Sequence, residues 1–437
     1  MFSPAADEVL KPIPRTTSEW TDLQRVAFCF AFVYFMLDAL PSIIYELPGG
    51  PAILAPYWSV WLAIVSWFGK HILHLPHDIT HLGLGDSAFG YVLILCQAIV
   101  AGVVATVWTL TDTRSKSYPT LHYWLRVCVR YSLAFDVLGY GITKLFQVQF
   151  PSPPLVDLIR PLGYLPPRGL LWNFMGFSRT YQVFAGGIEC LGAVLLFSRR
   201  TTLLGALLLT AALGNVLVLD ISYGVGVKRI AANLLLLAMF LILPDLSKLM
   251  NLFLFHRPVP ATNLSGPHWN SKWMQFAVAG IKATVVGYFI CSLSLQTYAW
   301  TKQLAPSEAR PALYGLYRVQ QLVRNGRVIS PADPGYWQLV AIDGWSKTDT
   351  GIAIRLPNEK WEWYQANYNA RKHMIIIWHL GVGRSQKSSL SYVRTGPDNV
   401  LLKGPLDNQP TEITLHRIPA PAFPLEDPDA LRWIYHW

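Results

Sequence analysis

Four of the chain's eleven histidines fall in residues 67–86, "WFGKHILHLPHDITHLGLGD". His71, His74, His77 and His81 are spaced three, three and four apart, which raises metal chemistry. His77 and His81 share a helical face if Pro76 starts a short helix, and Asp78 could support them. Two such ligands fall short of a catalytic zinc site, which needs a third. A membrane di-iron centre needs several histidine boxes, and only His122 lies elsewhere before residue 250. Haem takes one or two axial histidines, and His71 and His74 stand where an apolar segment ends. The competing reading is a polar interfacial loop. It is preferred, so no metal or haem is assigned at His71 or His74.

A second kind of chemistry comes from charges inside apolar segments. Each costs about 2.5–3.5 kcal/mol at mid-bilayer, so it needs a partner or a function. Glu189 follows Gly186 and Gly187, which permit close helix approach. It suits a proton relay or a structural hydrogen bond. Lys144 is its natural cationic partner, or else snorkels to the headgroups. Asp136, Tyr140 and Lys144 are four residues apart and form one helical stripe. Asn215, Asp220, Tyr223, Lys228 and Asn233 make a second polar set around a turn containing Gly224 and Gly226. Trp172, Ser178 and Tyr181 follow a proline-rich stretch and could hold a flat ring or form an interfacial belt. No GxSxG, HExxH, P-loop or CxxC is present.

The segments that must position these groups are legible in the composition. The chain has 437 residues, 52% hydrophobic and only 14% charged, against about 25% charged in soluble domains. About eight segments approach the roughly 20 apolar residues a spanning helix needs: 24–45, 54–73, 88–110, 121–146, 180–198, 201–220, 227–246 and 274–296. The first and fourth carry charges. Asp86 and Ser87 are placed to cap the third. The loop at 148–178 contains proline at a density that breaks a spanning helix, with short amphipathic pieces expected at 153–162 and 168–177. Residues 1–22 lack the pattern of a cleaved leader. After about residue 303 turn signals recur between short apolar runs. "TEITLHRI" alternates with a period of two, as a half-buried strand does. The five cysteines are scattered and form no disulfide framework. The net charge of +10 is not gathered into a basic block, so nucleic acid is not an expected partner.

Residues 125–250 carry "YGITKLFQVQFP", then Trp172, Met175-Gly176-x-Ser178-x-x-Tyr181, Gly186-Gly187-x-Glu189, Arg199-Arg200-Thr201, and Asn215, Asp220, Tyr223 and Lys228. This stretch resembles the DoxX-like family of bacterial integral membrane proteins. His71 with Gly83-Leu84-Gly85-Asp86-Ser87 is similar to a longer subgroup of it. "GVGVK" at 224–228 departs from the pattern, lacking the aspartate expected before Val-x-Val-Lys. The resemblance implies a four-helix membrane core and work in membrane redox systems, as a quinone-interacting or accessory subunit.

The expected fold is an all-α membrane bundle of about eight helices with a DoxX-like core, plus a C-terminal antiparallel β domain. The expected divisions are a polar segment (1–22), three helices (23–120), the four-helix core (121–250), a linker with the eighth helix (251–300) and a soluble β-rich domain (303–437). The expected place is the inner cell membrane, crossed several times. Glu189, Lys144 and Asp136 are the expected proton-handling residues. Trp172, Ser178, Tyr181, Tyr140 and Asn215 are the expected cofactor-binding residues, with a quinone as the ligand. The lipid bilayer and an oxidoreductase that supplies electrons are the expected partners. The alternative is a scaffold or transport protein whose β domain binds a partner.

Overall fold

The computed structural model describes residues 20–83, 85–112, 114–259, 272–304, 311–346, 349–369, 372–379 and 387–419. The chain falls into two compact units, Met1–Leu138 with Ile188–Met274, and Gly139–Gly187 with Gln275–Trp437. Most of the N-terminal polar segment lies outside the described residues.

All eight expected membrane segments are helices: α1 (Asp22–Tyr45), α2 (Gly50–His71), α3 (Ala88–Thr111) and α4 (Pro119–Leu145), then α7 (Arg179–Leu196), α8 (Thr202–Ser222), α9 (Lys228–Ile242) and α11 (Lys272–Leu304). Six are long and apolar enough to cross a membrane: α1, α2, α3, α8, α9 as it runs on through α10 (Leu246–Phe253), and α11. The chain is a multi-pass membrane protein. The other two long helices, α4 and α7, are the polar ones. α4 carries Arg126, Arg130, Asp136 and Lys144, and the shorter α7 carries Gln182 and Glu189.

The first unit shows how local sequence sets the helix ends. Thr21 and Gln24 form a reciprocal capping box that opens α1. Gly49, at φ +77°, turns the chain into α2. Pro41 lies inside α1 and has no N–H for the carbonyl of Leu37, four residues earlier. The hydroxyl of Tyr57 on α2 donates to that carbonyl at 2.7 Å. A broken backbone bond becomes a helix–helix bond, as the absence of water in a bilayer requires.

The second unit contains the β domain. Its strands are β1 (Gly315–Arg324), β2 (Arg327–Val328), β3 (Leu339–Ser346), β4 (Asp349–Arg355), β5 (Trp361–Asn369), β6 (Met374–His379), β7 (Ser388–Arg394), β8 (Asn399–Leu406) and β9 (Gln409–Ile418). From β3 onward each strand pairs antiparallel with the next, β3 returns to β1, and β1 also pairs with β9. Eight strands thus close into a barrel, while β2 is a two-residue arm of a hairpin on β1. Val340, Ile342, Ile354, Ile375, Ile413 and Leu415 fill the interior, which at eight strands is just wide enough for side chains.

The proline-rich stretch forms two short helices close to the expected positions, α5 (Leu155–Ile159) and α6 (Pro167–Phe177). α5 lies on the barrel's outer wall. Leu155 and Val156 cover Leu316, Ala341 and Ala353, which alternate with the inward residues. The Leu155 N–H donates to Asp343 at 2.9 Å, and Arg160 lies over the rings of Trp361 and Trp363.

Tyr57→Phe should lower the stability of the purified protein by about 1 kcal/mol, the scale of one intramembrane hydrogen bond. The loss should shrink in a Pro41→Ala background, which restores the missing N–H. Equal losses in both backgrounds, measured by thermal unfolding in detergent, would show that Tyr57 does not serve this carbonyl.

Candidate functional site

The turn before α3 and the turn before α9 lock together. The Asp86 N–H donates to Gly226 O at 2.8 Å. Gly85, at φ +68°, lies so close that a Cβ there would sit 2.2 Å from the same carbonyl. The Asp86 carboxylate accepts from the backbone N–H of Arg229 at 2.9 Å and of Lys228 at 3.2 Å. It also pairs with the Lys228 ammonium at 2.7 Å. Ser87 caps α3 by accepting from Gly90 N–H at 3.1 Å, whereas Asp86 caps α9. The expectation that both cap α3 is corrected here: Asp86 faces two free N–H groups and a cation on the other turn. The turn "GVGVK" has no carboxylate of its own and is served by one 142 positions away. Burial pushes the Asp86 carboxyl up, but bonds from Lys228 and the two backbone N–H groups outweigh it and hold the group below the ordinary carboxylate range.

One helical repeat inward lies a line of polar groups. Tyr34, Asp38, Ser42 and Glu46 follow each other at four-residue spacing on and just beyond α1. Asn233 on α9 donates to Asp38 at 2.7 Å. Ser42 donates to one oxygen of Asp136 at 2.8 Å, and Ser132 to the other at 3.3 Å. Among the described residues, neither Asp38 nor Asp136 has a cation at ion-pair distance. Arg229, Asp38 and Asp136 are neighbours in an electrostatic chain. Toward the start of α1 the line gives way to aromatic packing, with Phe35 against Phe240 at 4.9 Å and His122 against Phe28 at 5.9 Å and Phe240 at 6.4 Å. Glu46, at the turn, is half-buried, and burial pushes its carboxyl up.

The other expected residues are distributed as follows. Glu189 shares the first unit with Asp136, while Lys144, Tyr140, Trp172, Ser178 and Tyr181 belong to the second. Glu189 and Lys144 are buried, 4% and 6% exposed. On α7, Gln182, Gly186 and Glu189 share the inward face. Tyr181 and Phe184, 40% and 61% exposed, lie on the outward one. Gly186 meets α4 so closely that a Cβ would lie 2.7 Å from Gly141 O and 2.8 Å from the Lys144 Cβ. The Lys144 ammonium lies 6.0 Å from the Tyr140 ring. Ser178 accepts from the Tyr181 N–H at 3.3 Å, and Tyr181 packs on Phe174 at 5.5 Å. Trp172 sits against Phe150 and beneath Arg168. Asn215 is exposed on α8.

The histidine stretch faces outward. His71 stacks on Trp67 at 5.2 Å and bonds its carbonyl at 2.9 Å. His77 and His81 contact Pro76 and Thr80. Among the described residues, no three histidine, cysteine or acidic groups are placed to hold a metal ion.

No protein-family model matches the chain, and no solved structure does. A 125-residue stretch, 28% of the chain, is 30% identical to the uncharacterized protein YwoB of Bacillus subtilis (strain 168) and spans 79% of that protein. The chain belongs to the YwoB family.

Sequence reasoning singled out Asp136 in this YwoB-family chain but passed over Asp38 and Arg229. The signal was present in the four-residue repeat of α1. The apolar residues that fill the rest of α1 mask it. Chemically, the two acids differ from Asp86. Hydroxyls and an amide can donate to a carboxylate or accept from a carboxylic acid, so this surrounding tolerates a change of protonation. Asp86, held by N–H donors and an ammonium, is fixed as the anion.

Asp86→Ala should destabilise the protein by about 1–2 kcal/mol, the range for losing a helix cap. The folded-state value lies below the unfolded one near ~3.9, so the stabilisation is complete above that value and fades as the pH falls through the lowered one. Thermal unfolding followed into acid should therefore fall more steeply for the wild type than for Asp86→Asn. Parallel curves would contradict this role.

Proposed function

We propose that the protein is a membrane subunit that handles protons for a redox partner, with a quinone as the carrier it meets in the bilayer of the bacterial inner membrane. The observation that carries this reading is the placement of Asp38 and Asp136 among neutral donors from Ser42, Ser132 and Asn233. Carboxyl groups so placed inside apolar helices are suited to taking up and releasing protons. The buried Lys144 and, separately, the buried Glu189 are each candidates for a quinone head group, since a quinone carbonyl accepts from a donor and a quinol hydroxyl donates to an acceptor. The outward aromatic face of Phe174, Tyr181 and Phe184 suits lipid or an isoprenoid tail. The resemblance of residues 125–250 to DoxX-like proteins supports the same reading. The sequence motifs indicate no electron carrier, so a partner oxidoreductase supplies the electrons.

Purified protein should quench its own tryptophan fluorescence on binding menaquinone or ubiquinone. Glu189→Gln or Lys144→Met should weaken binding by about tenfold, the effect of losing one charge-assisted hydrogen bond. Asp136→Asn should leave quinone affinity nearly unchanged while abolishing the proton uptake that accompanies quinone reduction by an added reductase. Absence of quinone binding, or unaltered affinity in both Glu189→Gln and Lys144→Met, would overturn the reading.

A further inference from the structure

Arg130 lies on α4 and is only 8% exposed. Its Nε is buried and makes no hydrogen bond. Its guanidinium lies 5.2 Å from the Tyr131 ring centre. Arg199, in the turn between α7 and α8, reaches α4 from the other side. It donates to the Tyr123 hydroxyl, and its guanidinium lies 5.2 Å from that ring. Tyr123 and Arg130 are two helical turns apart and share a face of α4. Arg199 thus meets the face of α4 that carries Arg130, bringing two cations to one side of the helix. Among the described residues, no carboxylate lies at ion-pair distance from either, whereas Arg25, Arg126 and Arg160 each have one. Phe197 closes the side of this cluster, 5.8 Å from Tyr131 and 5.6 Å from Phe135.

Two neighbouring cations, one of them buried with an orphan donor, are costly in an apolar bundle. An anion between them relieves the desolvation and the repulsion together. The planar fork of arginine matches the oxygens of a phosphate better than those of a halide. Arg199 is exposed at a helix-connecting turn, where the phosphates of a bilayer lie.

We propose that Arg130 and Arg199 form a binding site for a phosphate oxyanion, walled by Tyr123, Tyr131 and Phe197. The oxyanion is carried either by an anionic phospholipid headgroup or by free phosphate. Arg130 supplies the buried contact through its unused Nε–H. Arg199 supplies the outer contact and closes the site from the turn. None of these residues enters the quinone reading, so the two proposals stand or fall separately.

The test uses the full-length protein in two arms. In one, detergent-purified protein is titrated with inorganic phosphate against chloride at equal ionic strength. In the other, it is placed in nanodiscs of phosphatidylcholine with or without phosphatidylglycerol, and bound lipid is counted by native mass spectrometry. Thermal stability is read in both. The wild type should be stabilised in at least one arm, and Arg130→Gln and Arg199→Gln should each weaken the response by about tenfold. A response to phosphatidylglycerol alone assigns the ligand to the headgroup. A response to inorganic phosphate assigns it to the free anion. No response in either arm overturns the site, as does a folded variant of either arginine that responds like the wild type. If Arg130→Gln does not fold, the exposed Arg199→Gln decides alone.

Discussion

The leading N–H groups of a helix have no partner within it and need one from outside. α9 meets this constraint with a carboxylate from another helix entrance. Asp86 takes the N–H groups of Lys228 and Arg229 and neutralises the Lys228 ammonium. Gly85 and Gly226 allow the two turns to approach backbone to backbone. Once the start of α9 is fixed in this way, its next turns fall into place. Asn233 arrives opposite Asp38 on α1, and Phe240 arrives opposite Phe35.

The carboxylates of this unit then divide by the company they keep. Asp86 and Asp245 are held by cations, the second by Lys248 at 2.7 Å and Arg126 at 3.8 Å. Such groups stay charged and hold helix ends. Among the described residues Asp38 and Asp136 hydrogen-bond to neutral donors, with Arg229 near Asp38 but not at ion-pair distance, and they lie deeper along α1 and α4. Within a low-dielectric interior that difference separates a fixed anion from a group able to exchange a proton. The functional reading rests on this contrast. Arg130 and Arg199 are its mirror image, cations that lack an anion.

Much of the architecture is legible in local sequence, because a bilayer demands long apolar runs and a half-buried strand demands a period of two. α1, α2, α3 and α8 and the alternation of Ile413 and Leu415 follow from those demands. What local pattern does not carry is pairing over distance. The capping of α9 by Asp86 joins residues 142 apart, and β1 closes the barrel on β9 across the whole domain. The outward Leu316, Ala341 and Ala353 blur the strand alternation because α5 covers them. For the candidate site, Asp136 was visible as a charge in an apolar helix. Its partners Ser42 and Ser132 were not, since hydroxyls carry no hydropathy signal. Tyr181 and Glu189 belong to one sequence motif, yet Tyr181 is exposed and Glu189 is buried, a difference the motif does not show.

The most direct measurement is an infrared pH titration of the full-length protein in lipid, comparing the wild type with Asp136→Asn and Asp86→Asn. The expected result is a carboxylic-acid carbonyl band that titrates in the wild type, is diminished in Asp136→Asn, where Asp38 remains, and is unchanged in Asp86→Asn. A spectrum with no such band, or one that Asp136→Asn leaves unchanged, would contradict the assignment of proton exchange to this carboxyl group.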